Sequence, residues 1–380
     1  MFLKKSSIFA SIITKQSIIM ANLLKKSMTM LLVATFSMSA YAQEKPNKWY
    51  DNIKLSGYGM LQYQGQDKED AESNTFNLRL LRMIVDGKIN DFNWRAQIQG
   101  TNAKGPGEPT VQLMDLYAEW VKHKEFQVRV GQFKRAFTFE NPTHPVTQGW
   151  RGYADVINRL SGFGDRVGEK SSGGRDIGIQ VQGDILPNSN GRALLHYQVG
   201  VYNGEGINRS DKDNRKDIIG GLWVMPVKGL RIGAFGWTGS HGGMTTINGT
   251  NESVSLNRYC LSVEWDKDEY TFRAEYLHSQ GWGSGVIGNT TIDYSLGDKA
   301  DGWYVFGIVP VIKSKLHAKA RYQTYRRSKE WSSSLNSVEA GLNYFFTKNL
   351  QLNFEYARVN DRTLAKHNYN LVDVELDFRF

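Results

Sequence analysis

VRVGQFKRAFTFENPTHPVTQGWRGYADVINRLSGFGDRVGEKSSGGRDIGIQVQG, residues 128–183, decides how the rest of the chain is read. It opens on an alternation, Phe126, Val128 and Val130 against Gln127 and Arg129. It closes on another, Ile177, Ile179 and Val181 against Asp176, Gly178 and Gln180. A period of two marks a strand with one apolar face. Between the two lie roughly forty residues of Gly, Pro, aromatics and charge without a sustained period, and so long an irregular connection is commonly a working segment. This reading makes residues 132–174 an insert that folds into the bore of a β-barrel and narrows it.

The same alternation runs outward in both directions. Phe92, Trp94, Ala96 and Ile98 alternate with polar neighbours, as do Tyr259, Leu261, Val263 and Trp265, and Leu350, Leu352, Phe354 and Tyr356. A soluble antiparallel sheet has this pattern too; the connections separate the two. Sixteen candidate strands begin near residues 53, 75, 92, 111, 125, 175, 191, 216, 230, 253, 269, 301, 314, 335, 349 and 371. Tight links such as KHK (122–124), DKD (266–268) and TKN (347–349) take turns with longer polar ones, among them 64–74, 101–110, 132–174 and 239–252. One tight side and one long side is the connectivity of an outer-membrane barrel with both termini on the tight, periplasmic side. The expected fold is therefore all-β: a 16-stranded antiparallel transmembrane β-barrel with a long inward-folded third extracellular loop.

Three further features agree. Trp94, Trp120, Phe126, Trp265, Tyr270, Tyr344 and Phe346 sit at strand ends beside the tight turns, where amphipathic rings settle at a lipid headgroup boundary. The chain closes on VDVELDFRF, with Val372, Val374, Leu376, Phe378 and Phe380 on one face and Asp373, Glu375, Asp377 and Arg379 on the other. Its terminal phenylalanine resembles the signal that such barrels present to their assembly machinery. Mean hydropathy is negative, as expected where half of each strand faces water. TFNLRLLRMIVDG (75–87) changes phase around Leu80 and Leu81, which points either to a bulge or to a misread strand.

The N-terminus reads as an address. Lys25 and Lys26 precede the apolar run Met30 to Phe36, which ends at Ala40-Tyr41-Ala42, the layout of a secretory signal peptide. Residues 1–42 are expected to be removed, with Met20 a second candidate start, 43–52 a periplasmic segment and 53–380 the barrel. The five lysines of 1–42, unaccompanied by acids, take the net charge from +9 to +4 when they leave. A chain so mildly basic has lost its main argument for nucleic-acid binding, and any taste for anions must come from local arrangement. The lone Cys260 excludes an internal disulfide and a zinc cage. Gly283 to Gly288 fits G-x-G-x-x-G without a following helix pattern, the seven histidines are scattered, and no nucleophile–base pairing is legible. No catalytic residue, metal site or cofactor is expected.

VRVGQFKRAFTFEN followed by GGRDIGIQVQG resembles the phosphate-selective porin O and P family, and so do NIKLSGYG, the strand with Arg79 and Arg82, and Phe380. The resemblance spans about residue 50 to the end. It implies a bacterial outer-membrane porin, commonly a homotrimer, that lets small hydrophilic solutes diffuse passively, with small anions and phosphate or polyphosphate favoured. A pore needs a water-filled bore and groups that replace part of an ion's hydration without holding it too tightly. Candidate anion-binding residues of the constriction are Lys134, Arg135, Arg151, Arg159, Arg166 and Arg175. Lys134 and Arg135 lead, while Arg175–Asp176 and Asp165–Arg166 are the likeliest structural pairs. On the wall, Arg129 and the face of Lys315, His317, Lys319 and Arg321 would form a cationic ladder, opposite Leu316, Ala318, Ala320 and Tyr322. Alternatives stay open: a non-selective diffusion porin, or a surface-binding or enzymatic outer-membrane barrel.

Overall fold

A computed structural model describes residues 52–69, 71–101, 111–162, 173–247, 250–281, 286–287, 291–292 and 299–380. The signal-peptide reading of 1–42, the segment 43–51 and Arg166 lie outside them. Sixteen strands close into one antiparallel barrel. They are β1 (Ile53–Gln66), β2 (Ser73–Ile89), β3 (Phe92–Gly100), β4 (Val111–His123), β5 (Phe126–Lys134), β6 (Arg175–Pro187), β7 (Ala193–Tyr202), β8 (Asp217–Val224), β9 (Leu230–Ile247), β10 (Thr250–Lys267) and β11 (Tyr270–Gly281). A two-stranded ribbon of β12 (Val286–Ile287) and β13 (Thr291–Ile292) stands apart. The wall resumes with β14 (Lys299–Ile312), β15 (Leu316–Arg326), β16 (Ser334–Thr347), β17 (Leu350–Asp361) and β18 (Asn368–Arg379).

Closure follows from where the chain must live. Lipid offers no hydrogen bonds, so a sheet survives there only if no edge is left open. β1 supplies the seam, pairing with β2 on one side and β18 on the other. Gly57 and Phe380 exchange both backbone bonds at 3.0 Å. A Cβ on Gly57 would lie 2.5 Å from the Arg82 carbonyl and 2.4 Å from the Phe380 ring, so the seam needs glycine there. Leu61, Val130, Leu261, Val305 and Leu342 are exposed on the outer face, and Phe126, Tyr270 and Phe346 near its tight-turn rim. So much exposed apolar surface would be a liability in water and is what lipid requires.

The strand starts fall within three residues of those read from the sequence. One connection differs. Residues 239–252, expected as a long loop, instead prolong β9 and β10 into a hairpin, with a register shift between Glu252 and Val254. Its Thr- and Val-bearing sequence suits continued pairing, and the polar composition that suggested a loop also suits strands that extend beyond the membrane. The phase change in β2 is a bulge: Met60 faces Leu80 and Leu61 faces Leu78, leaving Arg79 as the extra residue.

The described part of connection 135–174 carries α1 (Pro145–Gln148) and α2 (Asp155–Leu160), and its residues 135–162 lie against the inner wall. Phe137, Phe139, Trp150, Val156, Ile157 and Leu160 are buried with the wall residues Phe235, Trp237, Leu256, Tyr304, Phe306 and Tyr325. At about 25 cal/mol per Å² of apolar area, burial of half a dozen such side chains is ample to hold a loop in place.

Candidate functional site: a cationic wall facing the inward loop

Alternation places Lys54, Ser56 and Tyr58 of β1 on the inner face, and register carries this across to Arg82 and Asp86 of β2 and Arg95 of β3. Without the bulge Arg79 and Arg82, three apart, would point to opposite faces. With it both reach inward: Arg79 pairs with Glu375, and Arg82 donates to Tyr58 Oη at 2.7 Å and Gln99 Oε1 at 2.8 Å. Between this wall and loop residues Pro142 to Pro145 lies a cavity of about 450 Å³. It is lined by six cations, Lys54, Arg82, Arg95, Arg129, Lys134 and Arg175, and by two carboxylates, Asp86 and Asp115.

The pairings sort these charges. Arg95 forks onto Asp86 at 2.7 and 3.0 Å, and Arg175 onto Asp115 at 2.6 and 3.2 Å. Arg129 engages Glu119 at 2.8 Å and lies over the Tyr117 ring at 4.7 Å. Lys134 Nζ donates to Thr143 O at 3.1 Å and Tyr153 Oη at 3.0 Å, pinning the loop beside the cavity. Arg82 has neutral partners only within hydrogen-bond reach, and Lys54 is exposed with no carboxylate within 4 Å among the described residues. Counting Glu119, six cations face three carboxylates. Each surplus charge attracts an anion 4 Å away by about 4 kcal/mol at an effective dielectric near 20.

The opposite wall grips the loop. Lys319 Nζ reaches Gly149 O at 2.7 Å and Glu355 at 3.1 Å, and Arg321 bonds Gly152 O at 3.0 Å and Glu339 at 2.9 Å. Both cations also sit over the Trp150 ring. Glu275 accepts the backbone N–H groups of Phe139 and Glu140. Glu140, buried in the loop, accepts from Gln148 Nε2 at 2.9 Å and Ala154 N at 3.3 Å, and burial raises its pKa. His144 caps α1, its Nδ1 accepting from Val146 N, and burial followed by the nearby charges of Arg82 and Lys134 lowers its pKa to about 4.

The expected site residues divide accordingly. Lys134, Arg175 and Arg129 line the cavity. Arg135 does not: it is fully buried against Asp176 at 3.0 Å and under Trp237 at 4.8 Å. Arg175 is matched with Asp115 rather than its neighbour Asp176. Arg151 bridges loop to wall through Glu355 and Glu339 at 3.1 and 3.6 Å, and Arg159 is exposed at the end of α2. His317, Lys319 and Arg321 do share the inner face, but the loop covers Lys319 and Arg321, which are 4% and 2% exposed. Lys315 is not on that face at all; it lies in the turn before β15, near the Tyr344 ring. Lys54 and Arg82 escaped the sequence reading, although the alternation Lys54, Ser56, Tyr58 and the phase change in β2 carried the signal. Outside this site, Glu205, Asp211 and Asp213 bring carboxylate oxygens within 4.8 Å of one another, with Lys216 already paired to Asp211.

Solved structures that share this architecture include porins and other outer-membrane proteins. OmpF from Salmonella typhi, in complex with daunomycin, superposes with a TM-score of 0.65 at 12% identity over 88% of this chain and 99% of that one. The fold is that of an outer-membrane porin. An anion-selective porin from Comamonas acidovorans aligns with a TM-score of 0.60 at 13% identity, over 86% of this chain and 99% of that one. The trimer form of OmpT from Vibrio cholerae aligns at 0.54 and 14% identity, over 87% of this chain and all of the other. Residues 53–215 match the family described as phosphate-selective porin O and P. That stretch runs from β1 through β7, ending just before β8, and includes the whole cationic wall. Curated proteins give no match. The barrel belongs in the bacterial outer membrane.

Proposed function

We propose that this porin is a passive channel for small hydrophilic solutes that favours anions, phosphate and polyphosphate among them, and that it works as a homotrimer. The observation that carries the reading is the cavity beside β1 to β6, where six cations meet three carboxylates and two of the cations, Lys54 and Arg82, have no acid within 4 Å among the described residues. Loop residues 135–162 narrow the bore by filling the far side and leave the solute to pass along this wall. An arginine fork suits a phosphate oxygen pair, and lysine adds an unshaped charge. Tyr58 and Gln99 hold the Arg82 side chain without cancelling it, so a passing anion finds a donor already oriented. Leader removal at residue 42 and handling by the barrel assembly machinery complete the proposal. No catalytic step is part of it.

Reversal potentials across a planar bilayer in a salt gradient test this directly. The parent should prefer anions, and Arg82→Gln combined with Lys54→Gln should reduce the anion-to-cation permeability ratio several-fold without abolishing conductance. Cation preference in the parent would remove the selectivity claim; a silent bilayer would remove the channel. Phosphate that fails to compete with chloride current would leave a general diffusion porin.

A further inference from the structure

The inner face of β16, β17 and β18 carries a second polar patch, across the seam from β1. Asn343 faces Asn353 across β16 and β17, and Asn353 faces Glu375 across β17 and β18. Asp377 follows Glu375 on the same face, opposite Gln351. Neighbouring strands run about 4.8 Å apart and same-face residues about 7 Å, so adjacent side chains here are within reach of one another. The patch lies under α1: Asn343 Nδ2 donates to Gly149 O at 3.2 Å, and Gln351 Nε2 to Val146 O at 2.9 Å.

What the amides donate to fixes which way they point. Gln351 Nε2 and Asn353 Nδ2 both reach Asp377 Oδ2, at 2.9 and 2.7 Å, and Gly149 O orients Asn343. The atoms left bare on these three side chains are therefore all oxygens: Asn343 Oδ1, Asn353 Oδ1 and Asp377 Oδ1 accept no hydrogen bond. Their residues are 2%, 5% and 1% exposed. Taking an acceptor out of water without replacing its bonds is unfavourable, most of all for a carboxylate. The Glu375 carboxyl lies within hydrogen-bonding reach of Asp377 and is held by Arg79 through Nη1 alone, at 2.7 and 2.6 Å. Asp377 itself accepts from amides only, with no cation within 4 Å among the described residues.

One bare oxygen asks for a donor; several together, beside two carboxylates, suit a cation that takes oxygen ligands. We propose that this patch binds a calcium ion. Asp377 Oδ1, Asn353 Oδ1 and the Glu375 carboxylate supply its protein ligands, and Asn343, a strand further off, accepts from a water on the ion. Calcium tolerates an irregular shell that mixes carboxylates with amide carbonyls, whereas magnesium demands a near-ideal octahedron and sheds water reluctantly. An ion here ties the closing strand β18 to β17 and, through Asn343 and Gln351, to the underside of α1. The site stands independently of the anion lane along β1 to β6.

Calorimetric titration of the full chain, in nonionic detergent and stripped with a chelator, tests the site with calcium chloride and magnesium chloride. Calcium should bind saturably, and magnesium at least about tenfold more weakly. Asp377→Asn should weaken calcium at least about tenfold, a loss that even an outer-shell change commonly brings. Adding Asn353→Asp moves the charge across the hydrogen bond between the two side chains at almost constant shape, and should restore most of the affinity. Conductance equal to the parent's shows that a variant is folded; if Asp377→Asn alone does not conduct, the double variant decides. A parent that takes up no calcium overturns the proposal, the result expected if Glu375 and Asp377 share a proton instead. Equally tight magnesium overturns it too, since the patch would then be a diffuse acidic screen. So does calcium bound as well by folded Asp377→Asn as by the parent, or a folded double variant that binds no calcium.

Discussion

Two arginines that look alike in the sequence have opposite employment. Arg135 is enclosed: its guanidinium bonds Asp176 at 3.0 Å, and both side chains are fully buried. Arg82, though largely buried, borders the cavity and has neutral partners. Removing one member of a buried pair strands the other and typically costs about 3–5 kcal/mol, whereas replacing both with apolar groups is often neutral. Arg135→Met is therefore expected to lower the melting temperature of the detergent-solubilised barrel, and Arg135→Met with Asp176→Leu to recover most of the loss. A melting temperature unmoved by Arg135→Met would mean the pair carries no stability. The sequence could place both arginines in the right part of the chain but could not sort them. Their partners lie beyond any short window of sequence: Asp176 is 41 residues from Arg135, and Tyr58 is 24 residues from Arg82.

At the scale of elements, strands were legible and the loop's docking was not. Period-two alternation is a local property, so β1 to β11 and β14 to β18 could be read from neighbours alone, and the β2 bulge showed as a slip in phase. Which wall the loop rests on is decided by Trp150 under Lys319 and Arg321 and by Glu275 beneath Phe139, contacts that no short window contains. The cap at His144 makes that docking depend on pH. Its folded pKa is about 4 against an ordinary 6.5, so the undocked loop takes up a proton first. Docking is at full strength above pH 6.5 and weakens as pH falls through the window toward 4, where Nδ1 can no longer accept from Val146 N. Single-channel current noise should rise across that window. His144→Asn, which keeps a capping acceptor without the titration, should flatten the dependence. Equal noise in the parent at pH 7 and pH 4.5 would discard this account.

For the whole molecule, charge is distributed by side rather than by amount. Residues 43–380 are only mildly basic, yet the surplus cations collect along β1 to β6 while Glu275, Glu339 and Glu355 opposite are occupied with the loop and its anchors. Selectivity built this way should fade as salt screens it. The Debye length shrinks from about 10 Å at 0.1 M to about 3 Å at 1 M. The permeability ratio should fall toward unity over that range, and a ratio independent of salt would point to sieving by size. The barrel itself was readable because its tight and long connections alternate along the chain. The extended hairpin of β9 and β10 was missed because a strand that has left the membrane is no longer required to be apolar on its outer face.

The reciprocal bonds between Gly57 and Phe380 have one more consequence. A ring cannot be completed in instalments: any arrangement short of the last ribbon presents two raw flanks to hydrocarbon, each a ladder of thirsty amides. Insertion must therefore behave as a single cooperative event, with β18 as its latch, and the chain must be kept from settling until that latch can shut.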